Sequence, residues 1–172
     1  IVLIGLMGSG KSAVGKMLSK AIEVPFSDTD NIIEKEIGKK IHQIFDDFGE
    51  RYFRQVEEKV VARTLEDNAH IISTGGGSIL SPKIRRLIKV KSFSIWIQCD
   101  VHIIAKRILN HRNRPLLKNR NILDTLFEKN EDRIKFYREA DVHIKNESLN
   151  VQQAVDAIIR SLLFNKVMKN DD

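Results

Sequence analysis

Short apolar runs alternate along the chain with stretches in which apolar residues recur every three or four positions. The runs Ile1 to Ile4, Val24 to Ser27, His70 to Ser73, Phe93 to Gln98 and Val142 to Ile144 read as strands. Between them, Ala13, Val14, Met17, Leu18, Ala21 and Ile22 predict a helix that covers one face of a sheet. Ser81 followed by Pro82 supplies a cap and a first-turn proline for another helix reaching about Lys89, and Val101 to Leu109 predicts the next. Leu123, Leu126, Phe127, Ile134 and Tyr137 mark a later helix. Val151, Val155, Ile158, Ile159 and Leu162 build a closing one begun by Asn150 with Gln153, and the tail Lys166 to Asp172 is expected to fray. Strand and helix patterns in this alternation predict an α/β protein with a parallel sheet.

One stretch breaks the rhythm. From Asn31 to Asp67 three helical segments follow one another with no strand between them, separated near Gly38 and Gly49, which predicts a helical insert of about residues 31–67 beside the sheet.

The first strand runs directly into Gly5 to Ser12, Gly-Leu-Met-Gly-Ser-Gly-Lys-Ser, which fills every position of the phosphate-loop pattern. Such a loop presents backbone N–H donors in a concavity, and the helix that follows adds its positive end, so a polyanion can sit there. Lys11 would reach the outer phosphates and Ser12 would ligate Mg2+. The second strand leads into Asp28-Thr29-Asp30. In an extended backbone both carboxylates project together at the end of the sheet where open α/β folds bind ligands, and Asn31 with Glu34 would cap the next helix, leaving both free.

The third strand ends in Gly75-Gly76-Gly77, where either a close neighbour or positive φ must explain the lack of side chains. In the helical insert, Arg54 stands three residues before Glu57, and such a fork-shaped cation suits a substrate carboxylate. From Asn110 to Asn121 periodicity stops around Pro115-Leu116-Leu117, and Arg112 with Arg114 make this a candidate lid.

The chain has 172 residues with 42% hydrophobic and 30% charged, enough for one domain with its own core and no need of disulfides. Its net charge of +6 and pI near 9.5 fit small anionic substrates better than nucleic acid, because the densest basic cluster, Arg107, Arg112, Arg114, Lys118 and Arg120, contains no aromatic. Cys99 stands alone and the five histidines show no metal-ligand spacing. No apolar run approaches a membrane span of about 18 residues. A cytoplasmic monomer without membrane or nucleic-acid partners is expected.

Taken together, the phosphate loop, Asp28-x-Asp30, Phe53-Arg54 with Glu57, Gly75 to Gly77, Arg114-Pro115-Leu116-Leu117 and Tyr137-Arg138 resemble the shikimate kinase family, in that order and over nearly the whole chain. The resemblance implies one domain over residues 1–172 with the three-layer fold of P-loop kinases: a five-stranded parallel sheet in order 2-3-1-4-5, helices on both faces, a helical substrate-binding region and a lid. It implies transfer of the ATP γ-phosphate to the 3-hydroxyl of shikimate, a step toward aromatic amino acids. Carried over by residue, Gly8, Ser9, Gly10, Lys11, Ser12 and Ala13 would hold the ATP phosphates, with Mg2+ on Ser12 and Asp28. Arg107 would lie against adenine, and Arg114 would neutralise charge on the transferred group. Asp30 would bind the shikimate hydroxyls and accept the proton. Arg54, Glu57, Gly75, Gly76, Gly77 and Arg138 would hold the rest of shikimate, with Arg133 competing with Arg138 for the carboxylate. Two departures from the family stand out: Lys135 replaces a frequent Pro, and no Pro occurs between Ile144 and Asn150. The alternatives are another small-metabolite kinase, for gluconate or a nucleotide, and a non-catalytic nucleotide-binding module, although no guanine-reading Asn-Lys-x-Asp is present.

Overall fold

The computed structural model describes residues 1–67, 70–110, 122–147 and 150–170. Strands β1 (Val2–Ile4), β2 (Phe26–Asp28), β3 (Ile71–Ser73), β4 (Ser94–Gln98) and β5 (Val142–Lys145) form a parallel sheet in the order β2-β3-β1-β4-β5. This is the order that the family resemblance implied. The helices are α1 (Lys11–Ala21), α2 (Thr29–Ile37), α3 (Ile41–Thr64), α4 (Pro82–Lys91), α5 (Val101–Asn110), α6 (Ile122–Tyr137) and α7 (Val151–Asn170). Helix α7 thus continues through Asn170, past the point where the sequence pattern predicted fraying.

Alternation along the strands decides which helix covers which face. Leu3, Ile71, Ile95 and Ile97 point to one side, where they pack with Val14 and Leu18 of α1 and Val155 and Ile158 of α7. Their neighbours Val2, Ile4, Ile72 and Trp96 point to the other, against Val61 of α3, Ile84 and Ile88 of α4, and Tyr137. Central strands buried on both faces need continuous apolar runs, which is why the strands were legible as such. Each fully buried aliphatic side chain contributes roughly 1.5–3 kcal/mol, so these two layers hold the sheet that aims the site.

The helical insert has a small core of its own in Ile33, Ile44, Phe53 and Val60. Both predicted breaks occur. Gly38 closes α2 in the left-handed conformation at φ 71°, and α3 kinks at Gly49, with φ 78° and ψ 168°. The start of α2 differs from expectation. Asp28 itself is the cap, its Oδ1 accepting from the Asp30 and Asn31 amides, while Glu34 turns instead to Lys40 and to the Ile41 amide that opens α3. The extended arrangement expected for Asp28 and Asp30 is therefore corrected: the strand ends at Asp28 and Asp30 already sits in the first helical turn. No helix among the described residues is long and apolar enough to cross a membrane.

Candidate active site

At the end of β1 the chain turns through Gly5 to Gly10 into α1, and the turn is tied by the Ser9 amide donating to the Leu6 carbonyl at 3.2 Å. Lys11 is buried and folds back across the loop, donating from Nζ to the Gly5 carbonyl at 2.8 Å and the Leu6 carbonyl at 3.0 Å. Gly10 caps α1 with φ 100°, a conformation that side chains with a Cβ resist. From α5, Arg107 reaches the Gly8 and Ser9 carbonyls at 3.4 Å. Ala13 is exposed on the first turn of α1. Ser12 is exposed beside it and donates to Asp28 Oδ2 at 2.6 Å. One carboxylate therefore does two jobs: Oδ1 caps α2, and Oδ2 faces the hydroxyl at the mouth of the loop.

Asp30 stands across from this pair. Its Oδ1 is buried without a hydrogen-bond partner among the described residues. Burial, helped by the negative charges of Asp28 and Glu57 and opposed by Lys11, raises its carboxyl to about 6. A buried acceptor left open in this way is costly, and it is aimed at the space beside Gly75: a Cβ on that glycine would lie 2.7 Å from Asp30 Oδ1 and 2.8 Å from Glu57 Oε1.

Glu57 is buried at 1% exposure and is held from two sides. Arg54 donates to its Oε2 at 2.6 Å, and the buried hydroxyl of Ser78 donates to its Oε1 at 2.5 Å. Burial works against the charge on Arg54, but Glu57 and Glu50 outweigh it and keep the guanidinium above its ordinary range. Ser78 gave no sequence signal beyond following the triple glycine. Those three glycines resolve the choice left open by the sequence, since none has positive φ and all are crowded. A Cβ on Gly77 would meet Arg54 at 2.6 Å, and one on Gly76 would lie 2.9 Å from the Met7 amide of the phosphate loop.

Gly76 also receives a side chain from α6, that of Arg133. This residue is buried at 6% exposure and donates to the Gly76 carbonyl at 3.1 Å, while its Nε has no partner among the described residues. The Tyr137 hydroxyl donates to the same carbonyl at 2.6 Å, and its ring stacks on Trp96 at 5.8 Å. Burial pushes the Tyr137 hydroxyl up to about 12, so it stays a donor. Arg138 does not join this cluster. It follows the end of α6, exposed, with its carbonyl accepting from His143, because five residues along a helix turn a side chain well away from its predecessor's face. Arg112 and Arg114, with the rest of the expected lid from residue 111 on, lie outside the described residues.

A phosphate loop and a carboxylate-and-arginine cluster thus share Gly76 as a common wall. The family model for shikimate kinase matches residues 7–163. The chain belongs to the shikimate kinase family. It is 40% identical over 162 residues to a shikimate kinase of Caulobacter vibrioides, covering 94% of this chain and 81% of that relative. A shikimate kinase of Zymomonas mobilis is 36% identical over 162 residues, covering 94% of this chain and 92% of the relative. Among solved structures, shikimate kinase from Acinetobacter baumannii in complex with shikimate superposes with a TM-score of 0.92 at 31% identity, covering 96% of this chain and 93% of that one. Like its family, the chain is an ATP-dependent kinase by class.

Proposed function

We propose that this chain transfers the γ-phosphoryl group of ATP to the 3-hydroxyl of shikimate. The observation that carries the reading is the pair of open polar atoms across Gly75 to Gly77: the acceptor Asp30 Oδ1 and the donor Arg133 Nε, both buried and without partners among the described residues. A ligand bearing a hydroxyl and a carboxylate satisfies both.

The donor side works by position. Backbone amides of Gly8 to Ala13 and the N-terminus of α1 receive the phosphates, and Lys11 exchanges its carbonyl partners for phosphate oxygens. Ser12 and Asp28, already in contact, offer two hard oxygens, a donor set that fits Mg2+, which keeps waters and phosphates as its other ligands. When bound, Mg2+ would screen charge on the β and γ phosphates. Arg107, which reaches the Gly8 and Ser9 carbonyls, would lie against the nucleoside. Arg114, outside the described residues, is the further cation that the family resemblance implies for the transferred group.

On the acceptor side, Arg54 and Arg133 bind the carboxylate and fix the ring, with Glu57 and Ser78 holding Arg54 in place. Asp30 accepts the hydroxyl proton as the new O–P bond forms. A carboxyl near 6 is matched to that task, ionised at neutral pH and basic enough to take the proton. The Arg54 and Arg133 pair disfavours a nucleotide kinase, whose acceptor is a phosphate rather than a carboxylate. We assign the protein to the cytoplasm, acting as a monomer on small molecules.

The test is a coupled ADP-release assay with Mg-ATP and a panel of shikimate, gluconate and nucleoside monophosphates. Release that depends on shikimate alone is expected, and it should fall by two orders of magnitude or more in Arg54→Ala. Release driven by another acceptor would replace this reading.

A further inference from the structure

Asn146, directly after β5, is buried at 3% exposure although it lies in the loop where a proline had been expected. Its backbone is fixed at both ends: the amide donates to the Gln98 carbonyl at 2.7 Å, and the carbonyl accepts from Arg107 at 3.1 Å. Its side chain crosses to the phosphate loop, where Nδ2 donates to the Ser9 carbonyl at 2.7 Å. That carbonyl also faces Arg107 at 3.4 Å, so Asn146, Arg107 and Ser9 form a closed triangle behind the loop. The approach is tight enough to exclude a Cβ at residue 10, which would lie 2.4 Å from Nδ2. The other side-chain atom, Oδ1, is buried with no partner among the described residues.

These facts are hard to explain by stability alone. A buried amide with one arm unsatisfied costs much of what the other arm contributes. The cost is offset where a ligand with an N–H or O–H donor fills the open arm. Polyphosphate has no such donor at neutral pH, but a nucleoside has several on its base and ribose. We infer that Asn146 is a positioning residue for the nucleotide, strapping Ser9 of the phosphate loop through Nδ2 and offering Oδ1 to a donor on the nucleoside. The inference rests on the proposed seating of ATP at this loop. It makes the residue after β5, and not a proline, the link between nucleoside and phosphate recognition in this chain.

The experiment is calorimetric titration of ADP into wild type, Asn146→Ala and Asn146→Leu, with steady-state constants for ATP and shikimate and a melting temperature for each. Wild type binding ADP establishes the seating. Both variants should then bind ADP about tenfold more weakly and raise KM for ATP by a similar factor, while KM for shikimate stays within about twofold. Equal ADP affinity in wild type and variants would overturn the inference and leave the seating intact. A parallel loss of ADP affinity, shikimate affinity and melting temperature in both would also overturn it, because Asn146 would then be supporting the fold as a whole. Asn146→Ala truncates the side chain beside Ser9 and Gly10, whereas Asn146→Leu keeps its size and makes it apolar, so one variant remains measurable if the other fails to fold. If wild type itself bound no ADP, the seating would be wrong.

Discussion

The donor side of the site is written in consecutive residues, Gly5 to Ser12, and works through backbone atoms; the acceptor side is assembled from side chains on α2, α3, the turn after β3 and α6. The consequences differ. On the donor side the critical property of a residue is often what it lacks, as with Gly10, whose φ of 100° and contact with Asn146 leave no room for a Cβ. On the acceptor side it is charge, held at a cost: Asp30, Glu57, Arg54 and Arg133 are gathered around Gly75 to Gly77, with Glu57 and Arg133 buried. A site of the first kind tolerates little change in backbone shape, and one of the second kind little change in charge.

The contrast breaks if charge changes on the acceptor side prove mild. Asp30→Asn should lower kcat by about 10²–10⁴ with little change in ADP affinity, since it removes the proposed proton acceptor and leaves the loop intact; steady-state kinetics beside ADP titration check this. Next in size, Arg133→Ala should lower kcat/KM for shikimate by about 10²-fold, whereas Arg138→Ala should leave it within about twofold. Gly10→Ala sharpens the donor side. Strain at positive φ of about 1–3 kcal/mol, with the clash on Asn146, should weaken ADP binding while shikimate affinity is kept.

The most specific effect is on stability. Asp30 has a folded value of about 6, above its unfolded value of 3.8, so the protonated form is favoured by folding. Its contribution is complete below pH 3.8 and is lost as pH rises through 6. An amide never ionises, so Asp30→Asn should be more stable than wild type at pH 7, by up to about 3 kcal/mol, with the gap closing near pH 4. Denaturant unfolding at both pH values measures it.

The same division explains what the sequence made legible. Strand runs and the phosphate loop are local patterns, so the sheet order and the position of the loop could be anticipated from short stretches and their resemblance to a family. The breaks at Gly38 and Gly49 were local too. What could not be anticipated depended on the meeting of distant segments. Asn31 with Glu34 looked like a capping pair, but Asp28 took the cap because its Oδ1 was already held beside the helix start. Arg133 and Arg138 are equally basic in sequence, and only the rotation of α6 against Gly76 tells them apart. Ser78 and Asn146 are small polar residues with no spacing signal, and they matter because they meet Glu57 and Ser9 across the fold. Gly15 is similar: it lets the Phe26 ring approach α1, where a Cβ would lie at 2.4 Å.

The most direct measurement is a crystal structure of the complex with shikimate and a non-hydrolysable ATP analogue. The account predicts the shikimate carboxylate between Arg54 and Arg133, with an Asp30 oxygen within about 3 Å of the hydroxyl that faces the γ-phosphate. A carboxylate held by Arg138, or an Asp30 turned away from that hydroxyl, would contradict it.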